Sequence, residues 1–278
     1  MKKRWIWRSC VLGTVVLFIG RLFYVQKGIF FHPWHDGESY SSLCEDPDFR
    51  ELRIPHKDGM LHGWLRLNSE EKKAPLLLFY GGNGQNSSNA MQLFEATNAF
   101  TYFEGHHVLF VDYPGYGLSD GSPSEESLFS AALAVFDYAV ELEEVDPARV
   151  TVLGYSIGTG VATYVASQRQ RNGLILVAPY DRALSLYNET LNIFHGPMML
   201  LARYSFDSLS YAKEIQVSPL IISSRSDEVI PYELSLKLAK AFPTPVEPLL
   251  LDGILHDRYF FHKQVLESIQ QYLHQRAA

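Results

Sequence analysis

Arg149-Val-Thr-Val-Leu153 runs without a break into Gly154-Tyr155-Ser156-Ile157-Gly158, and Thr159-Gly-Val-Ala-Thr-Tyr-Val-Ala-Ser-Gln168 follows directly. The first run is short, apolar and β-branched, which predicts a strand buried on both faces. The last predicts a helix. Between them Ser156 falls in a sharp strand-to-helix bend that exposes its hydroxyl and crowds the positions two before and two after it, where glycine fits best. Glycine and serine are common enough for such a pentad to arise by chance. Strand, turn and helix in this order give it meaning: an α/β architecture with Ser156 at the carboxyl end of a strand.

The rest of the chain alternates in the same way. Pro75-Leu-Leu-Leu-Phe-Tyr80, Val108-Leu-Phe-Val-Asp112, Leu174-Ile-Leu-Val177, Leu220-Ile-Ile-Ser223 and Pro248-Leu-Leu-Leu251 read as further strands. Arg50 to Leu67 reads as a hairpin turning at Lys57-Asp58-Gly59. Helical periods stand at the crossovers. Ser122-Pro123-Ser124-Glu125 reads as a capping box with proline at the first helical position, and Leu128, Ala131, Val135, Tyr138 and Leu142 follow at helical spacing. Segments 161–168, 233–241 and 261–273 supply three more helices, the last with Phe261, Val265, Ile269 and Leu273 on one face. This alternation predicts the α/β class, a mostly parallel central sheet with helices on both faces.

A serine hydroxyl becomes a nucleophile when a neighbouring base takes its proton and a carboxylate orients that base. In this architecture the chain order is serine, acid, histidine. Asp227, in Ser224-Arg-Ser-Asp227-Glu-Val-Ile-Pro231, stands just past one predicted strand, and His256, in Asp252-Gly-Ile-Leu-His256, just past another. Glu228 and Asp207 are the spare carboxylates. The other nine histidines read as structural, and none makes an H-E-x-x-H pair. With Cys10 and Cys44 as the only cysteines, neither a disulfide framework nor a Cys-based zinc site can be assembled. Neither a metal nor another cofactor is expected. Backbone amides must meet the negative oxygen of the tetrahedral intermediate; Ile157 is one expected donor, and Gly82, in Tyr80-Gly81-Gly82-Asn83-Gly84, the other. Asp112-Tyr-Pro-Gly-Tyr-Gly117 reads as a structural turn held by Asp112.

These segments resemble the α/β-hydrolase-domain serine hydrolases, particularly the small membrane-anchored branch of bud-emergence homologues and serine-aminopeptidase-like hydrolases. The likeness rests on Asp58-Gly59-Met-Leu-His-Gly63-Trp64, on Asp112-Tyr-Pro-Gly-Tyr-Gly-Leu-Ser119-Asp-Gly-Ser-Pro-Ser-Glu125, on the Ser156 pentad, and on Phe206-Asp207-Ser208 with Asp227-Glu-Val-Ile-Pro231. It runs from about Phe30 to the C terminus. It implies the α/β-hydrolase fold. The chain departs from the branch at Tyr80, where a histidine commonly precedes the first glycine of the oxyanion loop. Since the donor is a backbone amide, activity is expected to survive with a differently supported loop.

The chain has 278 residues and a net charge of -7, with no basic stripe beyond the first 30 residues, so nucleic acid is excluded as a partner. Lys2, Lys3, Arg4 and Arg8 precede an apolar run over 9–20, and Leu22-Phe-Tyr-Val25 follows Arg21, whose stem can snorkel. Trp5, Trp7, Phe23 and Tyr24 sit where interfacial aromatics belong. Residues 1–27 therefore read as a single-span membrane anchor, with a cleaved signal and a buried core helix as competing readings. The basic flank keeps the N terminus cytoplasmic and places the domain, 28–278, outside the cytoplasm. The stretch between Val177 and Leu220 is too long for one crossover. Its apolar residues, among them Leu186, Tyr187, Met199 and Leu200, predict a small cap over 179–218, whose inner face either contacts an acyl chain or merely covers the sheet. Anchor and cap favour a small-molecule or lipid-like acyl substrate, an ester or a thioester. A peptidase or acyltransferase using the same triad, and a non-catalytic membrane-tethered binding protein, are the alternatives. Nothing in the sequence bears on oligomeric state.

Overall fold

The computed structural model describes residues 2–34, 38–190 and 192–277. Eight strands make one sheet: β1 (Phe49–His56), β2 (Gly59–Arg66), β3 (Ala74–Tyr80), β4 (His107–Val111), β5 (Val145–Tyr155), β6 (Gly173–Val177), β7 (Leu220–Ser224) and β8 (Leu249–Leu251). Their order is β1-β2-β4-β3-β5-β6-β7-β8. The pairs β1/β2 and β2/β4 are antiparallel and the rest parallel, so the predicted hairpin extends one edge of a parallel sheet. The helices are α1 (Lys2–Phe30), α2 (Glu38–Glu45), α3 (Ser87–Ala96), α4 (Ala99–Tyr102), α5 (Glu125–Ala139), α6 (Ile157–Gln168), α7 (Ala183–Thr190), α8 (Ser208–Ala212), α9 (Tyr232–Ala239) and α10 (Lys263–Ala277).

The alternation of strand side chains explains why both faces are covered. In β3, Leu76, Leu78 and Tyr80 enter one core with Leu128 of α5, Val161 of α6 and Leu234 of α9. Leu77 and Phe79 enter the other, with Met91 and Phe94 of α3 and Val265 and Ile269 of α10. From β3 the chain moves outward to β4, then returns to β5 on β3's other side. In open sheets, ligands bind outside the carboxyl ends of the strands where the winding direction reverses. The loop after β3 and the turn at Ser156 meet there.

Two local expectations need correction. The capping box at α5 pairs Ser124 with Ser127, not with a glutamate: Ser127 N donates to Ser124 Oγ at 3.0 Å and Ser124 N to Ser127 Oγ at 2.9 Å. Pro123 thus precedes the cap, and the Glu125 carboxylate is left to accept from Ser205 N, Ser205 Oγ and Phe206 N at 2.7, 2.9 and 2.7 Å, pinning the segment over the sheet to α5. The last helix starts at Lys263, because His256–Phe261 forms a 3-10 turn that leaves Phe261 exposed. Helices α3 and α4 had no apolar period marked enough to predict them.

Segment 179–218 folds as α7, a 3-10 turn over Gly196–Leu201, and α8. It packs on the end of α1: the Phe30 ring meets Tyr187 edge-on at 4.9 Å and stacks on Phe206 at 5.4 Å. The boundary expected at residues 27 and 28 lies inside α1, which continues to Phe30. Within α1, Cys10–Gly28 is a 19-residue stretch long and apolar enough to cross a membrane, and little of it is buried against the protein.

Candidate active site

Ser156 has φ 54° and ψ -123°, a conformation that residues with a side chain rarely adopt. Its amide donates to Val177 O of the neighbouring strand at 3.0 Å, which holds the bend against the sheet. The flanking glycines are required sterically. A Cβ on Gly154 would lie 2.5 Å from Gly158 O, and one on Gly158 would overlap Tyr80 O and lie 2.5 Å from Gly81 O. The Ser156 turn and the loop after β3 are thus in backbone contact.

The structure brings the three expected side chains into one line. Nε2 of His256 lies 2.9 Å from Ser156 Oγ, and its Nδ1 lies 3.0 and 2.9 Å from the two carboxylate oxygens of Asp227. Asp227 also accepts from Val229 N at 2.9 Å, Ile230 N at 2.8 Å and the Tyr259 hydroxyl at 2.9 Å. Burial pushes this carboxyl up, but the hydrogen bonds and charge from His256, with the two amides, more than offset it, and the group is held below the usual carboxylate range. Since folding lowers this carboxyl, the stability it contributes is present above the unfolded value of about 3.9 and is lost as pH falls through the lower folded value. Glu228 accepts the His256 backbone N–H at 3.0 Å, and Asp207 accepts from Ser210 as the cap of α8. Neither spare carboxylate takes the place of Asp227.

Two tyrosines that sequence reasoning passed over hold this line. Tyr155 donates its hydroxyl to His256 O, and its ring stacks on the imidazole with centroids 5.3 Å apart. Tyr259 donates to Asp227 and accepts from Ser224 N at 2.9 Å. Its place three residues past the histidine was the available signal. Burial raises both phenols, so both remain neutral donors. Tyr259→Phe removes one donor from a buried carboxylate and leaves the Ser224 amide unpaired. The expected result is a loss of about 1–3 kcal/mol of stability, measured by denaturant unfolding. A stability equal to that of the unsubstituted protein would show that the hydroxyl does not support Asp227.

The loop after β3 differs from expectation. Gly82 N donates to Gln85 Oε1 at 2.7 Å, so this amide is engaged inside its own turn. The cause is Gln85, which closes the turn a second time through its own amide to Gly82 O at 3.2 Å. Ile157 supplies the first amide of α6, one of those that a helix leaves without an intrahelical partner. Tyr80 turns away from the site, its hydroxyl on Ala132 O at 2.8 Å, while the Tyr113 hydroxyl supports Gly81 O at 3.0 Å. This is how the loop is held without a histidine. Asp112 is structural as expected, accepting from Ser87 N, Leu118 N and the wholly buried His62.

A cavity of about 140 Å³ opens beside Ser156, lined by Phe30, Asn83, Ile157, Leu186, Val229 and Ile230. Phe30 belongs to α1, outside every segment the sequence marked as chemical. Asn83 is tied to the chain after α1, its Oδ1 accepting from His32 N at 2.7 Å. Among the described residues no cluster of His, Cys, Asp and Glu is arranged to hold a metal.

A family model described as alpha/beta hydrolase fold matches residues 74–217. The chain is 29% identical over 275 residues to an uncharacterized protein of Mycobacterium tuberculosis, covering 97% of this chain and 93% of that one. It is 28% identical over 194 residues to alpha/beta hydrolase domain-containing protein aho-3 of Caenorhabditis elegans, covering 68% of this chain and 56% of that one. With alpha/beta hydrolase domain-containing protein 17C of Mus musculus it shares 28% over 167 residues, 60% of this chain and 50% of that one. Among solved structures, the Pyrococcus furiosus esterase Pf2001 matches with a TM-score of 0.69 at 17% identity, covering 90% of this chain and 100% of that one. Est1E of Butyrivibrio proteoclasticus, bound to ferulic acid, matches with a TM-score of 0.67 at 19% identity, covering 81% and 98%. At these identities the solved structures speak for the fold alone. The family model spans more than half of the chain, from β3 through the Ser156 turn and the segment over the sheet, and the chain belongs to the alpha/beta hydrolase fold family.

Proposed function

We propose that this protein is a serine hydrolase that cleaves carboxylic esters or thioesters through an acyl-enzyme, with Ser156 as nucleophile, His256 as general base and Asp227 as its orienting acid. The unbroken line from Asp227 through His256 to Ser156 Oγ supports this reading. As Oγ bonds to the acyl carbon, its proton passes to Nε2, and the imidazolium is stabilised by the carboxylate at Nδ1. The developing oxyanion is met by Ile157 N–H, and by Gly82 N–H once Gln85 releases it. The imidazolium protonates the leaving group, and water then repeats the sequence on the acyl-enzyme. A cavity walled by Phe30, Leu186, Val229 and Ile230 suits an apolar acyl group.

In the same reading α1 anchors the protein in a membrane, its N terminus in the cytoplasm and its catalytic domain on the far side. The basic flank supports this orientation. A reporter fused after Ala278 that works only in the cytoplasm overturns it. The test of the chemistry is labelling of the whole protein with a fluorophosphonate. A covalent adduct is expected, with labelling lost in His256→Ala, and a protein that stays unlabelled refutes the assignment. Turnover of p-nitrophenyl esters but not of the matching anilides separates an esterase from a peptidase.

A further inference from the structure

The helix that carries the apolar stretch also carries part of the cavity wall. Leu22, Gln26 and Phe30, four residues apart, form one buried face of α1 that docks on segment 179–218. The joint is polar and two-sided: Gln26 Nε2 donates to Leu201 O at 3.0 Å, and Arg203 N donates to Gln26 Oε1 at 2.6 Å. An unpaired amide in an apolar helix is costly, and here both of its ends are satisfied. The guanidinium of Arg203 lies 5.9 Å from the Phe23 ring centroid.

This joint fixes depth. A span of ~30 Å of hydrocarbon takes about 20 residues. The apolar stretch of α1, Cys10–Gly28, has 19, so the membrane must use nearly all of it, including the turn that holds Gln26. Gln26 is two residues from the end of that stretch, or about 3 Å along the axis. Leu201 and Arg203, bonded to Gln26, therefore lie at the level where hydrocarbon gives way to headgroups. The side chains beside them are apolar and open: Leu200 is 88% exposed, Met199 46% and Ile193 39%. In water such a patch is unfavourable; at that depth it is covered.

We propose that the 3-10 turn Gly196–Leu201, with Ile193 beside it, is seated in the boundary of the same bilayer that α1 crosses, and that the cavity beside Ser156 takes its acyl esters from that bilayer. The source of the ester rests on the serine-hydrolase reading, and the seating on the reading of α1 as the membrane anchor. Leu200 inserts next to the anchor, Arg203 lies at phosphate level, and Phe30, one turn beyond Gln26 on the same helix face, leads from the lipid boundary to Ser156. The anchor is then a wall of the site as well as a tether.

The test uses the full chain in phosphatidylcholine vesicles. Cys10 and Cys44, both exposed, are first replaced by serine, and a polarity-sensitive NBD label is placed through Leu200→Cys or, at the amino end of β3, through Lys72→Cys. NBD at 200 is expected to emit several-fold more strongly than at 72, and to be quenched by lipid carrying a doxyl group near the headgroup end of its chain. Equal emission at both positions, or an emission at 200 that doxyl lipid leaves unchanged but that grows with protein-to-lipid ratio, overturns the seating; the second outcome assigns the face to another copy of the chain. In parallel, Leu200→Asp is expected to leave p-nitrophenyl acetate turnover unchanged and to lower turnover of vesicle-borne p-nitrophenyl palmitate by about tenfold, the order expected for losing the burial of one leucine. Equal effects on both esters overturn supply from the bilayer. Turnover of neither ester by the unsubstituted protein refutes the serine-hydrolase reading, and the supply with it, while the label still decides the seating.

Discussion

Ser156→Ala is expected to lower kcat for a p-nitrophenyl ester by about 10⁴–10⁶-fold, the range found when a triad nucleophile is removed from enzymes of this chemistry. The fold should not notice. The hydroxyl's side-chain partner is His256 Nε2, and the bend is held by backbone groups that alanine keeps, Ser156 N on Val177 O and Thr159 N on Ser156 O. Alanine retains the Cβ and the same φ of 54°, so the strain is unchanged. A thermal midpoint within about 3 °C of the unsubstituted protein is the expected control. The sharper test is the double variant Ser156→Ala/His256→Ala. Residues that act as a unit give grossly non-additive losses, so the double variant should be no slower than the worse single one. If the two losses multiply, Ser156 and His256 do not share one step and the triad assignment fails.

What the sequence shows of this site follows from which constraints are local. Ser156, Asp227 and His256 are legible because each stands at a strand end, and a strand followed by a turn or helix leaves its mark within about ten residues. The sheet is legible for the same reason: β3, β6 and the second half of β5, from Val150 to Tyr155, are buried on both faces and must be largely apolar. The parts that were not legible are those in which distant segments meet. Gln85 takes the Gly82 amide by a side-chain torsion that no pattern encodes. Glu125 has the sequence position of a capping residue, yet it serves Ser205 and Phe206, 80 residues away. Phe30 belongs by composition to the anchor and by packing to the cavity. Reading α1 as a tether alone followed from its hydropathy, which says nothing about what its last two turns touch.

Gly158→Ala is expected to have the largest effect on stability, at least about 4 kcal/mol, beyond the range of ordinary overpacking and in that of the most damaging single substitutions. The reason is what the methyl would meet. Its neighbours are Tyr80 O and Gly81 O, both backbone, at the end of β3. That strand is paired on both sides, with β4 and β5, and the loop beyond it is tied by Tyr80 to Ala132 O and by Tyr113 to Gly81 O. Nothing there can give way by rotating. Gly28→Ala, whose methyl meets nothing within 4 Å, is the matched control and should leave the thermal midpoint unchanged or raise it. For a chain of this size the difference between the two variants should be roughly 8 °C or more, read by circular dichroism. Midpoints closer than that would mean that the turn and the loop are not in the contact described. Any Gly158→Ala molecules that do fold must hold the loop after β3 away from Ile157. Displacing groups that meet the reacting atoms by even 1 Å costs about 10²-fold in rate. Such molecules should therefore show a lowered kcat, because one contact between two backbones both closes the fold at the middle of the sheet and sets the distance between Ile157 and the loop that are proposed to meet the oxyanion.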